Sequence, residues 1–352
     1  MNRGLYKSKM LREEHEMKKV LLMGLVLVMA LSLVLSGCGQ KAEEPKAEVP
    51  KAETPKAEEP KAEAAKKLAI GVIISNLDDK WLSYLADSFT EYAKTMPDVN
   101  LRLQDSKDDM NKQLGQVESL IAEGVSAIIV NPVTTDASGP ITDKAKAANI
   151  PIVSVNRPFK NQADAASYCG GDSLQSGVLE MEYLAKKLNG KGNVVIMIGE
   201  PSQEAAVKRT EGFKQVLAKY PDMKVVAEQT ANWDRAKGMA LMENWLQSGK
   251  QIDVVAANND EMAIGAIKAI EAAGKKGKIT VGGIDATPDA LGYLKSGELA
   301  VTVFQDAAGQ AKGALDAAIK AAKGETVEKE YPIPYQLVVP EDADKYLKIW
   351  GK

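Results

Sequence analysis

Amide, carboxylate, guanidinium and indole side chains follow the short apolar runs of this 352-residue chain. Amides, carboxylates and arginine can pair with hydroxyl groups, because a hydroxyl both donates and accepts hydrogen bonds. Indole rings offer flat apolar surfaces that pack against the C–H faces of a ring. The combination predicts a site for an uncharged, hydroxyl-rich ring among the residues that follow the runs, which are Asn76, Asp78, Asp79, Trp81, Asn131, Asn156, Arg157, Trp233, Asn258, Asn259, Asp260, Asp285 and Gln305.

The apolar runs that precede these residues are short, and many are rich in valine and isoleucine. Such runs are typical of strands buried on both faces of a parallel sheet. They alternate with amphipathic stretches that predict helices, so we expect doubly wound α/β domains, whose ligands bind beyond the carboxyl ends of the strands. The predicted strands are 68–75, 99–103, 127–130, 152–155, 194–198, 224–227, 254–257, 279–284 and 300–304, and the predicted helices are 80–95, 113–123, 136–148, 175–188, 205–219, 236–247, 261–273 and 307–323.

The chemistry that the chain lacks narrows its function further. Its single histidine, His15, lies in an N-terminal segment that is expected to be removed, which excludes Ser-His-Asp catalysis and histidine-bound metals in the mature protein. The acidic stretch 105–111 lacks the glycine and the closing glutamate of an EF-hand loop. No glycine-rich phosphate loop follows a predicted strand, and the net charge of −3 without a basic block argues against nucleic acid. We predict neither a cofactor nor a metal site.

The N-terminus has the organisation of an export signal. Lys18 and Lys19 precede the largely apolar run 20–35, which is shorter than the roughly 20 residues of a membrane-spanning helix. The run continues into a Leu-Ser-Gly-Cys sequence ending at Cys38, which resembles the bacterial lipoprotein box. This resemblance implies a lipid anchor on Cys38 that faces the periplasm or the cell exterior; a secretory signal with an incidental cysteine is the alternative. Met17 suits such a signal better as the start than Met1, because three glutamates lie between them.

A linker and a large folded part follow the signal. Residues 41–65 repeat the five-residue pattern KAEEP with small variations, and its regular prolines and charges predict an extended, solvated spacer. About 287 residues remain from Lys66 onward, more than one core usually holds, so we expect two domains. The segment 164–172, which contains two consecutive glycines, is the expected crossing between them. Cys169 is expected to follow a strand and to be buried.

Six stretches of the folded part together resemble the ribose-binding class of solute-binding proteins that serve ABC sugar importers. The resemblance extends from Lys66 to Val339, and the stretches are 129–132 (IVNP), 150–157 (IPIVSVNR), 209–213 (RTEGF), 233–238 (WDRAKG), 259–265 (NDEMAIG) and 283–289 (GIDATPD). It implies a type I periplasmic binding protein, monomeric, with a membrane permease as partner. Its two similar lobes, 66–171 plus 306–334 and 172–305 plus 335–352, would be joined by three crossings and close on a ligand.

The resemblance also implies which residues contact the ligand, and three of them depart from the ribose binders. The ribose binders carry aspartate where this chain has Asn156, arginine where it has Val207, and a second aromatic ring where it has Leu82. Lys208 or Arg209 could replace the missing guanidinium. The string 228–235 resembles inositol-binding members more closely, so a cyclitol or related monosaccharide is favoured over ribose. The implied contacts are Asp79, Trp81, Leu82, Asn131, Asn156, Arg157, Val207, Trp233, Asn259, Asp285 and Gln305.

Three other functions are compatible with parts of this pattern. Sugar-responsive repressors share such a body, but an N-terminal helix-turn-helix would have to replace the signal and linker. A glycosidase could use paired carboxylates such as Asp79 and Asp285, which would have to lie about 5–10 Å apart across a glycosidic bond. A sensor that delivers its ligand to a membrane receptor is not distinguished from an importer component by sequence. Capture of a sugar or cyclitol without catalysis is the preferred function.

Overall fold

A computed structural model describes residues 67–351 of the protein. The predicted signal segment, Cys38 and the repeat linker lie outside the described residues, so the predictions about them remain predictions. Within 67–351, no helix is both long and apolar enough to cross a membrane.

The first sheet contains six parallel strands in the order β11-β5-β4-β3-β1-β2. Its central strands β3 and β4 are fully buried and apolar except for Ser154, as expected when helices cover both faces of a sheet. The strands are β1 (Leu68–Ile74), β2 (Val99–Asp105), β3 (Ala127–Val130), β4 (Ile152–Val155), β5 (Ser167–Gly170) and β11 (Glu330–Pro332).

Helices cover the first sheet on both faces. One face packs against α1 (Lys80–Lys94) and α9 (Ala307–Ala322), and the other against α2 (Met110–Ala122) and α3 (Gly139–Ala147). Neighbouring β1 residues therefore belong to different cores, because side chains alternate along a strand. The sheet is doubly wound, as predicted.

The second sheet repeats this architecture with four parallel strands in the order β7-β6-β8-β9. β10 continues beside β9 through two parallel bridges and pairs antiparallel with β12. The strands are β6 (Lys191–Ile198), β7 (Asp222–Thr230), β8 (Val254–Ala257), β9 (Thr280–Gly282), β10 (Thr302–Phe304) and β12 (Gln336–Val338), and the helices are α4 (Ser173–Lys187), α5 (Glu204–Leu217), α6 (Arg235–Gln247), α7 (Asp260–Ala272), α8 (Pro288–Ser296) and α10 (Ala343–Ile349).

The chain passes between the two sheets three times, at 171–172, at 305–306 and at 333–335. The first passage corrects the predicted crossing 164–172, because Ser167–Gly170 forms β5 and pairs with β4. This strand lacks the valine and isoleucine that are common in the other strands, so the sequence pattern did not predict it. Cys169 lies within β5 rather than after a strand; it is fully buried, and burial raises the pKa of its thiol to about 12.

The sequence patterns missed four further elements: α8, α10, β11 and β12. The two strands have three residues each, too short to show a period. β11 also ends on Pro332, which is tolerated because β11 is an edge strand.

Glycines let the helices of the second sheet approach closely. A Cβ at Gly177 of α4 would lie 2.2 Å from the carbonyl oxygen of Arg209, and one at Gly265 of α7 would lie 2.1 Å from that of Arg235. Both contacts involve backbone, which cannot move aside as a flexible side chain can. The contact at Gly177 therefore fixes the backbone of Arg209 against α4.

Candidate functional site

The carboxyl ends of strands from both sheets enclose one small cavity of about 30 Å³. The resemblance implied eleven contacts, and Arg209 as the replacement guanidinium makes twelve; ten of these line the cavity, and Asn131 and Val207 do not. The lining residues are Asp79, Trp81, Leu82, Asn156, Arg157, Ala205, Arg209, Trp233, Asn259, Asp285 and Gln305.

Arg157 is the cation that the first sheet contributes. It follows β4 and is only 5% exposed. Its Nη1 donates to Ser75 Oγ and to the carbonyl oxygen of Pro132, both at 3.0 Å. Its buried Nε has no partner among the described residues. Burial lowers the pKa of Arg157, but a guanidinium stays charged at neutral pH. The Nε of Arg157 thus keeps an unused hydrogen-bond donor, and the residue itself lines the cavity.

Asn131 lies behind the cavity wall and positions its neighbours. It is fully buried. Its Oδ1 accepts from the backbone N and the Oγ of Ser75, at 3.2 and 2.7 Å, and its Nδ2 donates to Asn156 Oδ1 at 3.2 Å. Ser75 in turn accepts from Arg157, so the network joins four residues: Asn131, Ser75, Asn156 and Arg157. Asn156 faces the cavity with a φ of 66°, a left-handed conformation that asparagine tolerates.

Arg209 of α5 is the cation that the second sheet contributes. Its Nη1 donates to the carbonyl oxygen of Asn258 at 2.6 Å and lies 3.6 Å from Asp285 Oδ1. Its Nη2 donates to Gln305 Oε1 at 2.7 Å. Burial raises the pKa of Asp285, and the Arg209 charge opposes that shift. Paired charges and amides therefore line this side of the cavity, and each has capacity left for a polar ligand.

Gln305 joins the two sides of the cavity at the second chain crossing. Its side chain accepts from Arg209, and its carbonyl oxygen accepts from Trp81 Nε1 at 3.2 Å. Trp81 belongs to α1 of the first sheet and is nearly buried, so its indole orientation is fixed relative to the crossing. Leu82 lies beside it in the lining.

The indole of Trp233 forms the opposite wall. Its Nε1 donates to Gln203 Oε1 at 2.8 Å, and Arg209 Cζ lies 5.7 Å from its ring centroid. A Cβ at Gly199 would lie 2.1 Å from the ring, so this glycine makes room for the indole at the end of β6. Trp233 has a φ of 64°, which is uncommon for a bulky residue. Such strain is often retained where a side chain must point into a site.

Two predicted site residues also cap helices. Asp79 Oδ1 accepts from Leu82 N at 2.9 Å at the start of α1, and Asn259 Oδ1 accepts from Met262 N at 3.0 Å at the start of α7. Asn259 Nδ2 also donates to the carbonyl oxygen of Trp233 at 3.2 Å. Capping explains part of their polarity, and it also fixes their direction at the cavity. Burial raises the pKa of Asp79.

Val207 was expected at the site but is 53% exposed and lies outside the cavity lining. Ala205 takes its place. Residues 205 and 209 are four apart on α5 and share one face of the helix, whereas 207 points away from that face. The helical spacing from Arg209 was the sequence signal that would have identified Ala205.

A wider cleft of about 780 Å³ lies next to the cavity. It shares Asp79, Leu82, Arg157 and Trp233 with the cavity, and its other walls carry charged residues of both sheets, such as Asp108 and Arg235. Small-molecule sites usually enclose about 300–1,000 Å³, so the inner cavity must widen to hold a ring-sized ligand. Separation of the two sides along this cleft would widen it.

A buried carboxyl group beneath the site should make stability depend on pH. Asp260 accepts from Thr302 Oγ1 at 2.8 Å and from Thr287 N at 2.9 Å, and burial raises its pKa to about 7. As the pH rises from 3.8 towards 7, the unfolded chain releases this proton while the folded chain keeps it, so the group lowers the free energy of unfolding by about 1.4 kcal/mol per pH unit.

We expect Asp260→Asn to lose this contribution. Chemical denaturation of both proteins between pH 4.5 and 6.5 should show wild-type stability falling relative to the variant, and parallel profiles would contradict the assignment. A constant offset is expected as well, because the amide can accept only one of the two hydrogen bonds.

Two doubly wound parallel sheets with three chain crossings and a polar cavity between them define a two-lobed solute-binding protein. The chain belongs to the family of the periplasmic binding protein domain, whose model matches residues 70–326. This is a family of solute-binding proteins rather than of enzymes. Within 67–351, no group of three histidine, cysteine or acidic residues is placed to hold a metal ion.

Several relatives cover most of the chain. A putative rhizopine-binding protein of Rhizobium meliloti is 45% identical over 79% of this chain and 92% of that protein. The ribose import binding protein of Escherichia coli is 34% identical over 78% of this chain and 92% of that protein. An ABC transporter solute-binding protein from Bacillus halodurans, solved with bound myo-inositol, is 48% identical with a TM-score of 0.78, covering 81% of this chain and 98% of that one.

Proposed function

We propose that this protein is the substrate-binding component of an ABC importer and captures a neutral monosaccharide or cyclitol by closure of two lobes. The observation that carries the proposal is one cavity built from both lobes, with Arg157 on one side and Arg209, Trp233 and Asp285 on the other. A ligand satisfying both sides at once would favour the closed form, because it binds that form better than the open one.

The composition of the cavity supports an uncharged ligand with several hydroxyl groups. Its two guanidinium groups are matched by the carboxyl groups of Asp79 and Asp285, so no large excess of either charge calls for an ionic partner. Arg157 Nε offers a donor, and the amide of Asn156 offers both a donor and an acceptor. The Trp233 indole adds a flat apolar face. The ligand class therefore follows from directed hydrogen bonds combined with one stacking surface.

A cyclitol is the favoured ligand within this class. Relatives at 45% and 48% identity are described as a putative rhizopine-binding protein and as a protein with bound myo-inositol, whereas the ribose-binding relative from Escherichia coli is 34% identical. The neutral Asn156 and the aliphatic Leu82, which both line the cavity, are consistent with a hydroxyl pattern different from that of ribose.

Lobe closure uses the three crossings as hinges. We place the lobe boundaries at 171–172, 305–306 and 333–335, close to those expected from sequence. Export, a lipid anchor on Cys38 and the 41–65 spacer would then hold a monomeric protein at the membrane surface beside its permease. In this proposal the carboxyl groups of Asp79 and Asp285 bind hydroxyl groups and perform no catalysis.

Calorimetry with a panel of sugars and polyols tests the proposal directly. The panel contains myo-inositol, D-ribose, xylitol, D-xylose, D-allose and D-glucose, and a parallel thermal-shift screen covers a wider set. A ligand at one hundred times its Kd stabilises the folded protein by about 2.7 kcal/mol, which such a screen detects. We expect micromolar or tighter binding of at least one cyclitol or monosaccharide. Binding no tighter than millimolar across the panel would overturn the proposal.

A further inference from the structure

The third chain crossing carries a tyrosine that points at the site. Tyr335 lies between β11 and β12, and its side chain is 7% exposed. Its hydroxyl accepts a hydrogen bond from Arg209 Nη2 at 3.1 Å. Tyr335 does not line the cavity, so a contact to the ligand does not explain this arrangement.

Arg209 connects the cavity to two of the three crossings. The same Nη2 that donates to Tyr335 also donates to Gln305 on the second crossing. The guanidinium carbon lies 5.7 Å from the ring centroids of both Trp233 and Tyr335. Arg209 Nε is buried and unpartnered in the part of the chain that the structure describes, although Arg209 lines the cavity. The crossings therefore fix one end of the guanidinium, while its Nε keeps an unused hydrogen-bond donor.

The ring of Tyr335 also touches the first crossing. A Cβ at Gly171 would lie 2.5 Å from Tyr335 Cε2 and 2.8 Å from the carbonyl oxygen of Ile333. The first and third crossings are thus packed directly on each other, and only a glycine fits between them. Any rotation about these crossings moves the Tyr335 ring, and with it the hydroxyl that holds Arg209.

We propose that Tyr335 is a positioning residue that sets ligand affinity by holding Arg209 in its binding orientation when the crossings reach their closed geometry. This inference rests on the proposed function. An arginine side chain loses considerable rotamer entropy when it is fixed, and a partner that fixes it beforehand lowers the cost of binding. The hydrogen bond from a charged donor makes Tyr335 effective in this role.

Calorimetric titration of Tyr335→Phe with myo-inositol tests the proposal. The variant keeps the ring that packs on Gly171 and removes only the hydroxyl, so we expect about tenfold weaker binding and an unchanged fold. Tyr331→Phe is the matched control: it lies four residues earlier on β11, and its hydroxyl has no hydrogen-bond partner among residues 67–351. The control should bind like the wild type.

A double-mutant cycle with Arg209→Lys separates positioning from general structural support. If Tyr335 acts through the guanidinium, its replacement should change affinity less than twofold in the Arg209→Lys background. Equal losses in both backgrounds would overturn the proposal, and so would wild-type affinity in Tyr335→Phe. If Arg209→Lys does not fold, the comparison of Tyr335→Phe with Tyr331→Phe decides alone. A wild-type protein that binds nothing in the panel would instead refute the proposed function, and this inference with it.

Discussion

Replacing Arg157 with alanine is expected to weaken ligand binding at least a hundredfold, roughly 3 kcal/mol. Arg157 is the cation of the first lobe, and its Nε is buried without a partner at the cavity. Hydrogen bonds from a charged donor contribute about 1.5–3 kcal/mol each, and truncation also leaves acceptors of the ligand unpaired. Titration calorimetry with the tightest ligand of the panel measures the loss.

The fold of Arg157→Ala should remain intact, since water can reach Ser75 and Pro132 once the side chain is gone. Circular dichroism and a cooperative melting transition check this. Arg102→Ala is the matched control, because Arg102 lies on β2 of the same lobe, where it pairs with Glu123 outside the cavity. Unchanged affinity in Arg157→Ala would remove this residue from the site.

Replacing Trp233 with alanine is the second large effect that we expect, with binding weakened by about fiftyfold. The indole forms a wall of the cavity and packs against the Arg209 guanidinium. Truncating a tryptophan at the centre of a binding surface typically costs 2 kcal/mol or more, because its large apolar area is lost. Trp233→Phe should recover part of the affinity, since it keeps a smaller flat ring.

A second aromatic residue of the same lobe provides the control for the Trp233 variants. Tyr183→Ala on α4 removes a ring that lines neither the cavity nor the cleft, and it should bind as the wild type does. Quenched or shifted tryptophan fluorescence on ligand addition should disappear in Trp233→Ala if this indole is the main reporter. Wild-type affinity in Trp233→Ala would show that the ligand does not stack there.

Comparing Arg157→Ala with Trp233→Ala tests closure of the two lobes as well as contact with the ligand. Arg157 belongs to the first lobe and Trp233 to the second, and the ligand is their only common partner in the proposal. If both variants lose most of their affinity, each lobe alone binds weakly and the closed form is the binding state. If only one does, the ligand is held by a single lobe and closure contributes little.

Most residues of the candidate site could be predicted from the sequence by one geometric rule. Parallel strands bring their carboxyl ends to one edge of a sheet, so polar residues after each apolar run had to meet there. Eight of the residues that this rule selected line the cavity, including Asn156, Arg157 and Asp285, and the family resemblance added Leu82 and Arg209. Whether each one contacts a ligand stays a prediction.

The misplaced residues show where this rule stops. Asn131 follows a strand like the others, yet it turns inward and supports Ser75 and Asn156 instead of facing the cavity. Val207 was placed by resemblance and points to solvent, because it lies off the face of α5 that carries Arg209. A residue that directly follows a strand can be placed at one end of the sheet from the sequence alone. The direction of its side chain depends on packing, which the sequence pattern does not give.

By itself, the sequence determined the alternation of strands and helices and the set of polar residues at the strand ends. These features are local, since they depend on spacing along the chain and on residue type. Only the tertiary structure revealed β5 and the hydrogen bond from Arg209 to Tyr335, two residues that are separated by 126 positions in the chain. Contacts between such distant residues depend on how two lobes pack, and no period or motif along the chain encodes that.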